Sequence, residues 1–332
     1  MSRARVLASV AAALAGCLLG VVPGVPSAAE QARVALTIRD PRITESSGLA
    51  VSRLHPGVLW THNDSGDSAR LFAVGPDGRV LATLRLAGVA ARDFEAVAAG
   101  RDGAGRPALF VGDIGDNRAT QPEVSVYRVT EPVTLRDATV PATRFRLRYP
   151  GGPRDAEALL VDPRGNRLYV ASKQAAGGGL YRAPAVLRAD RVNQLRRVAG
   201  APPIVTDGAF SPDGRAFVLR DYLTAYLYAA PGRRIATVAL PLQPQGESVA
   251  WSPDGRELLV GSEGSPSQVW RVRVPAVEGS GEPGTGAPEN RGSRPDAPAA
   301  AEPRSWRGIA LVVAALAAGL VLLAGVARAR RR

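Results

Sequence analysis

The chain has 332 residues, 45% of them hydrophobic, and its 42 basic and 30 acidic side chains give a formal net charge of +12. Most of this excess comes from the two ends of the chain, where Arg3, Arg5 and five arginines from residue 307 onward are located. Residues 30–306 carry 35 basic and 30 acidic side chains, without blocks of either sign. We therefore expect no nucleic-acid partner. The only cysteine, Cys17, lies near the N-terminus, which excludes disulfides and thiol chemistry from the remainder of the chain.

Residues 1–29 have the pattern of an export signal. Arg3 and Arg5 precede an apolar stretch over residues 6–22, and the small residues 27–29 follow it. Within the stretch, "LAGC" at residues 14–17 resembles the bacterial lipobox, in which the cysteine becomes lipidated. Lipidation at Cys17 is therefore an alternative mode of anchoring.

Residues 30–275 contain five copies of one pattern. The copies are "SGLAVSRLHPGVLWTHND", "EAVAAGRDGAGRPALFVGDI", "EALLVDPRGNRLYVASK", "DGAFSPDGRAFVLRD" and "ESVAWSPDGRELLVGSE". Each has an apolar strand, a Pro- or Gly-containing turn and a second apolar strand, and two further strand candidates usually follow. One such four-stranded sheet cannot bury both faces, whereas sheets stacked radially can. The sequence therefore predicts an all-β fold, a β-propeller of five blades.

Two features bear on how the ring is built. The last copy lacks a fourth strand, and "ARVALTIR" at residues 32–39 is an unpaired strand candidate that we expect to complete it. A sixth, degenerate blade over residues 119–154 is the alternative to five blades.

The turn "SPDGR", at residues 211–215 and 252–256, resembles that of TolB-like and WD40-like propellers over about residues 45–275. The segments "ESSGLA", "DFEA", "DAEAL" and "GESVAW" are also similar to exported bacterial propellers grouped with phytase-like proteins. The resemblance implies a propeller fold. It leaves the function open, because such propellers include both binding scaffolds and enzymes.

The C-terminal part predicts a membrane anchor. Residues 276–306 are rich in Gly, Pro, Ala and Glu without an apolar period, which is typical of a flexible stalk. The following uncharged run leads us to assign a transmembrane helix to residues 307–327. The basic tail, residues 328–332, is expected in the cytoplasm, with the propeller outside the plasma membrane.

Polar loops follow two strands of the repeat, "LWTHNDSGD" and "LFVGDIGDN". In a meander these loops share one face with the residues that precede each first strand. Carboxylate and amide oxygens are the ligands that Ca²⁺ prefers. The candidate metal ligands are Asp64, Asp67, Glu95, Asp113, Asp116 and Asn117. The alternative is that these side chains cap turns by bonding to backbone N–H groups.

Equivalent positions in the other copies supply candidate ligand-binding residues on the same face. They are Ser47, Asn63, Glu157, Lys173, Asp207, Arg220 and Glu247. These observations favour a membrane-anchored extracellular module that binds an unidentified ligand or protein on an acidic face.

A metal-dependent hydrolase, a phytase-like phosphoesterase or a glycosidase, is the alternative function for the same face. Its candidate catalytic residues are His62, Glu95 and Lys173. No G-x-S-x-G, H-E-x-x-H or P-loop motif supports a more specific enzyme class. A solvent-filled mouth where the three residues converge would favour the hydrolase.

Overall fold

The computed structural model describes residues 32–64 and 66–275. These belong to the first of two units of the chain, Met1–Ser280, while the second unit, Gly281–Arg332, lies outside the described residues. The predicted signal, the stalk, the transmembrane helix and the basic tail likewise lie outside them. In the described part no helix is long and apolar enough to cross a bilayer.

The described residues form an all-β structure of five four-stranded blades. Blade 1 contains β2 (Ser46–Val51), β3 (Leu59–Asn63), β4 (Arg70–Val74) and β5 (Val80–Ala87). Blade 2 contains β6 (Phe94–Arg101), β7 (Pro107–Asp113), β8 (Val124–Thr130) and β10 (Thr143–Arg148). Blade 3 contains β11 (Ala156–Asp162), β12 (Arg167–Ser172), β13 (Gly179–Arg182) and β15 (Arg196–Gly200).

Blade 4 contains β16 (Asp207–Phe210), β17 (Phe217–Arg220), β18 (Thr224–Ala230) and β19 (Arg233–Ala239). Blade 5 contains β20 (Gly246–Trp251), β21 (Glu257–Ser262), β22 (Ser267–Arg273) and β1 (Arg33–Ile38). Two short strands extend the first two blades: β9 (Ala138–Pro141) pairs parallel with β5, and β14 (Val192–Gln194) pairs parallel with β10.

The ring closes through its first strand, as the sequence predicts. β1 pairs antiparallel with β22, with Leu36 opposite Val269. The innermost strands β2, β6, β11, β16 and β20 contact one another in sequence, and β20 contacts β2. The segment 33–273 therefore holds every strand of a closed ring, and its two terminal strands are paired with each other.

The alternative of a sixth blade over residues 119–154 is wrong. That segment supplies β8 and β10, which complete blade 2, and β9, which adds to the edge of blade 1. The long connection between β8 and β10 separates these strands in sequence, and this separation gives them the appearance of an independent sheet.

The core is divided into five apolar clusters in the described residues, one at each interface between neighbouring blades. Trp60 of blade 1, for example, packs with Phe94 and Tyr127 of blade 2. Alternate residues of each strand point to opposite faces of its sheet, so each blade can bury one apolar face against each neighbour. The radial stacking of the blades thus buries the apolar residues that recur in each copy of the repeat.

Two faces of the disc follow from the antiparallel order of the strands. Each innermost strand begins where the second strand ends, as in the pair Phe94 and Asp113. We call this the acidic face, because Glu95, Glu157 and Glu247 lie at it. The opposite, basic face carries the five loops that join first and second strands. Their arginines are Arg53, Arg106, Arg164, Arg215 and Arg256.

Candidate functional site: the acidic face

β-bulges interrupt the innermost strands where they enter the acidic face. In blade 2 the extra residue is Glu95, and in blade 3 it is Glu157. Blades 1 and 5 have a similar register shift at Ser47 and Glu247. A bulge changes the direction of a side chain relative to a regular strand. At these bulges burial raises the pKa of Glu95, and the charge of Glu157 from the next blade adds to the increase.

Three carboxylates on this face form a compact cluster, Asp64, Asp93 and Glu95. One oxygen of each lies within 4.8 Å of the others. Asp64 follows β3, Asp93 precedes β6, and Glu95 is the bulged residue of β6, so the cluster joins blades 1 and 2. Glu95 is buried, and the other two are partly exposed. This geometry places three oxygen atoms close enough together to bind one cation.

The cluster concentrates negative charge where water is partly excluded. Burial, followed by the charge of Asp64, raises the pKa of Asp93 to about 6. Burial raises the pKa of Glu95 well above its ordinary value, and Glu157, Asp64 and Asp93 add to the increase. The ionised cluster is therefore unfavourable by itself, and a proton or a bound cation would relieve the repulsion.

Gly115, in the middle of "LFVGDIGDN", allows the loop backbone to approach the cluster closely. A Cβ at this position would collide with the carboxylate oxygens of Glu95 and Asp93. The loop is held in place by Arg92, which donates to the Gly115 carbonyl at 2.6 Å. A residue with any side chain at 115 would have to displace the two carboxylates.

The other candidate metal ligands of this loop are not members of the three-carboxylate cluster. The Asp113 side chain accepts a hydrogen bond from the Asp93 N–H at 2.9 Å and so orients that residue. Asp116 accepts from the N–H groups of Thr120 at 3.0 Å and Gln121 at 2.8 Å, the arrangement of a capped turn. Asn117 is exposed.

Asn63 and Asp67 are engaged in a hydrogen-bond network within the first loop. Asn63 accepts from the Thr44 N–H at 3.1 Å and donates to the Arg42 carbonyl and to Asp67, both at 2.7 Å. Asp67 also accepts from the Arg70 side chain at 2.8 Å. This network fixes the loop that carries Asp64.

A lysine stands in the other half of the acidic face. Lys173 donates to Glu157 at 2.6 Å and to the Tyr222 hydroxyl at 3.3 Å. Burial opposes the charge of Lys173, but Glu157 outweighs it, so the pKa of Lys173 lies above its ordinary value. In this half of the face the positive charge is therefore supplied by the Lys173 side chain.

Glu247 completes the ring of carboxylates from blade 5. Gln245 donates to one of its oxygens at 3.1 Å, while the other oxygen, Oε2, is buried and has no hydrogen-bond partner among the described residues. Burial raises the pKa of Glu247, and the charge of Asp64 contributes. Burial likewise raises the pKa of the neighbouring Glu263 to about 8.

Arg220 and Asp207 connect blades 4 and 5 beneath the face. Arg220 is fully buried and donates to the carbonyls of Ser248 at 3.0 Å and Gly261 at 3.3 Å. Asp207 accepts from the Val249 N–H at 2.7 Å. Ser47 forms a similar link between blades 1 and 2, because its hydroxyl donates to the Glu95 carbonyl at 3.2 Å. These three predicted ligand-binding residues thus make contacts between blades.

His62 also lies beneath the surface. It is fully buried, its Nδ1 is 2.8 Å from the Asn63 carbonyl, and its ring packs edge-on against Phe94. Burial lowers the pKa of His62 to about 4, so the ring is neutral at physiological pH. In this position it does not meet Glu95 and Lys173 at a solvent-filled opening.

Asp93 is the member of the cluster that the sequence analysis did not select as a metal ligand. Its signal is the spacing Asp-x-Glu, which occurs as "DFE" at residues 93–95 and again as "DAE" at residues 155–157. In a regular strand the two acids would share one face of the sheet. The bulge at Glu95 interrupts this alternation, and both carboxylates are members of the cluster.

Comparisons with known proteins give no family for the chain. No family model and no curated protein matches it. Among solved structures, it is similar to a gluconolactonase from Xanthomonas campestris, with 15% identity, a TM-score of 0.45, and coverage of 72% of this chain and 89% of the other. The assignment as a propeller rests on the strand order of this chain itself. The strand order confirms the β-propeller architecture that the resemblance to TolB-like and WD40-like proteins implies, and it does not assign the chain to either family.

Proposed function

We propose that this chain is an exported propeller, anchored in the plasma membrane by residues 307–327, whose acidic face binds a divalent cation and, through it, an extracellular ligand. The observation that carries the proposal is the convergence of Asp64, Asp93 and Glu95, with one oxygen of each within 4.8 Å of the others. The anchor rests on the sequence pattern of the C-terminal residues.

Ca²⁺ fits this cluster better than a softer metal. It takes about 6 to 8 oxygen ligands in a flexible geometry, whereas zinc sites usually include nitrogen or sulfur. Three carboxylates leave positions for water and for the ligand's own oxygens. The class of ligand that suits such a site carries carboxylate, phosphate or vicinal hydroxyl groups.

A hydrolase at the same face is the second candidate, and one observation favours it. The raised pKa of Glu95 would allow this carboxyl to carry a proton beside the cluster, as a general acid requires. Phosphatase and glycosidase substrates, assayed with and without EDTA, separate the two functions. Turnover that EDTA abolishes would identify an enzyme, whereas cation-dependent binding without turnover would identify a binding module.

The cation site predicts a specific loss on Asp93→Asn. For residues 30–275, calorimetric titration with Ca²⁺ should show binding that falls tenfold or more in the variant, because a charged ligand becomes neutral with little change of shape. Ca²⁺ at a hundredfold excess over Kd stabilises the folded state by about 2.7 kcal/mol, so the parent should melt several degrees higher with Ca²⁺ than with EDTA.

Two controls make this titration specific. Asp254→Asn changes a turn on the basic face, where Asp254 accepts from the Arg256 N–H, and should bind Ca²⁺ as the parent does. Gly115→Ala should weaken binding although every carboxylate remains, while Gly165→Ala, where a Cβ meets open space, should not. Equal melting of parent and Asp93→Asn in Ca²⁺ and in EDTA would overturn the cation site.

The proposed anchoring predicts the result of limited proteolysis on intact cells. Added protease should cut within residues 276–306 and release a fragment that contains the propeller, because the closed ring resists cleavage and the stalk does not. Immunoblotting with antibody against the propeller follows the fragment. A propeller that is protected in intact cells and digested only after lysis would contradict the topology.

A further inference from the structure

The basic face has a composition that the cation site does not explain. Arginine occurs in each of the five loops that join the first and second strands of the blades. A groove of about 1010 Å³ between blades 4 and 5 concentrates this charge. Its five arginines are Arg33, Arg215, Arg233, Arg256 and Arg273. The groove also contains Asp213, Asp254 and Glu257.

The groove retains positive charge after its ion pairs are counted. Glu257 is shared by Arg33 at 3.2 Å and by Arg271 at 3.0 Å. With five arginines against three carboxylates, the lining of the groove has a formal charge of +2. Arg233 and Arg256 are exposed to solvent, so a partner can reach them.

Large apolar side chains are exposed on the same face. Among the described residues, six of the eight exposed large hydrophobics lie in its loops or within the first three residues of strands that begin there. The six are Val34, Leu54, Leu81, Val133, Val186 and Ile235. Three of them stand in loops, and the two most exposed of these are Val133 at 84% and Val186 at 67%. Basic side chains combined with exposed apolar ones are typical of surfaces that enter the interfacial region of a bilayer.

Both ends of the ring lie at this face. β1 begins there with Arg33, and β22 ends there with Arg273. The chain that leads to residues 307–327 therefore departs from the basic face, as does the chain that precedes β1.

We propose that the basic face docks on an anionic phospholipid surface, with its arginines contacting headgroup phosphates and Val133 and Val186 entering the boundary between headgroups and acyl chains. This inference rests on the proposed membrane anchor for its biological setting. Docking would orient the acidic face, with its cation cluster, away from the bilayer and toward extracellular ligands.

Vesicle flotation tests the docking without the anchor. Residues 30–275 are used, since the ring closes within residues 33–273. The segment should float with vesicles of phosphatidylcholine and phosphatidylglycerol, and much less with phosphatidylcholine alone. Salt should weaken the binding, because the attraction decays within a Debye length of about 8–10 Å at ordinary ionic strength.

Charge-reversal variants test the role of the arginines. One arginine near an anionic surface contributes about fivefold in binding, so Arg233→Glu combined with Arg256→Glu should lower partitioning about thirtyfold or more. Arg39→Glu combined with Arg118→Glu is the matched control, since both residues are exposed at the acidic face and the change in net charge is the same. Equal loss in both double variants would show a nonspecific effect of net charge and overturn the proposal.

Variants of exposed apolar residues test whether these side chains enter the bilayer. Val133→Asp should weaken flotation severalfold, whereas Leu242→Asp, at a residue 86% exposed on the acidic face, should have little effect. Binding that responds to salt but equally tolerates both substitutions would show adsorption by charge alone, without entry of Val133 into the bilayer, and overturn the proposed docking. Failure to float with vesicles that contain phosphatidylglycerol would also overturn membrane docking. The anchor is tested separately by proteolysis, and the cation site by calorimetry.

Discussion

A chain that begins at residue 44 is expected to aggregate and to melt far below the segment 30–275. The truncation removes β1 and therefore exposes the backbone N–H and C=O groups of β22, an unprotected edge. It also removes Leu36, Ile38 and Ile43, which are buried between blades 5 and 1. Loss of one buried Leu or Ile side chain costs about 2–5 kcal/mol, which for three is comparable to the whole stability of about 5–15 kcal/mol.

Size-exclusion chromatography and thermal unfolding measure this effect. A chain that begins at residue 32 keeps β1 and serves as the control. A synthetic peptide of residues 32–43, added to the truncated chain, should restore the monomer if the open edge causes the aggregation. A truncated chain that stays monomeric with an unchanged melting temperature would show that β1 is not needed for closure.

Arg220→Met is expected to destabilise the propeller by about 3–5 kcal/mol, the cost of removing one partner of a buried charge network. Arg220 is fully buried, and its guanidinium donates to backbone carbonyls of blade 5. Its charge also lowers the pKa of Asp207, whose value burial raises well above the ordinary one. Without Arg220, the two carbonyls would remain buried without these hydrogen bonds, and Asp207 would lose a nearby positive charge.

Denaturant unfolding measures this loss, and Arg196→Met is the matched control because Arg196 is an exposed residue at the start of β15. The control should change the free energy of unfolding by less than about 0.5 kcal/mol. An Arg220→Met variant with the stability of the parent would contradict a structural role, and Arg220 would then return as a candidate for ligand binding.

The blades are predictable from the sequence because their pattern is local and repeated. In each copy a turn with Pro, Asp, Asn or Gly separates two apolar runs, as in "SPDGR" between β16 and β17. Strand one and strand two are therefore adjacent in sequence and in space. The extra strands β9 and β14 are less visible, because they lie within long connections and pair parallel with strands distant along the chain.

The cluster itself is only partly predictable. Asp64 and Glu95 can be selected from their loops, since carboxylates that follow or precede strands of the repeat are expected on one face. Asp93 cannot be separated by spacing from Asp113 and Asp116, which are equally close to strand ends. Their difference lies in hydrogen bonds: Asp113 accepts from the Asp93 backbone and Asp116 from a turn, whereas the Asp93 side chain faces the cluster.

The amino-acid sequence alone determined the repeat, the antiparallel order of strands within a blade and the strand that closes the ring, since these depend on alternation and turn chemistry along a short stretch of chain. The tertiary structure decided which polar residues serve the acidic face. The bulges at Glu95 and Glu157 reorient side chains, and the contacts between blades take Arg220 and Asp207 into the interior. The bulges depend on the register between paired strands, and the buried positions of Arg220 and Asp207 depend on the neighbouring blade. Local sequence patterns record neither.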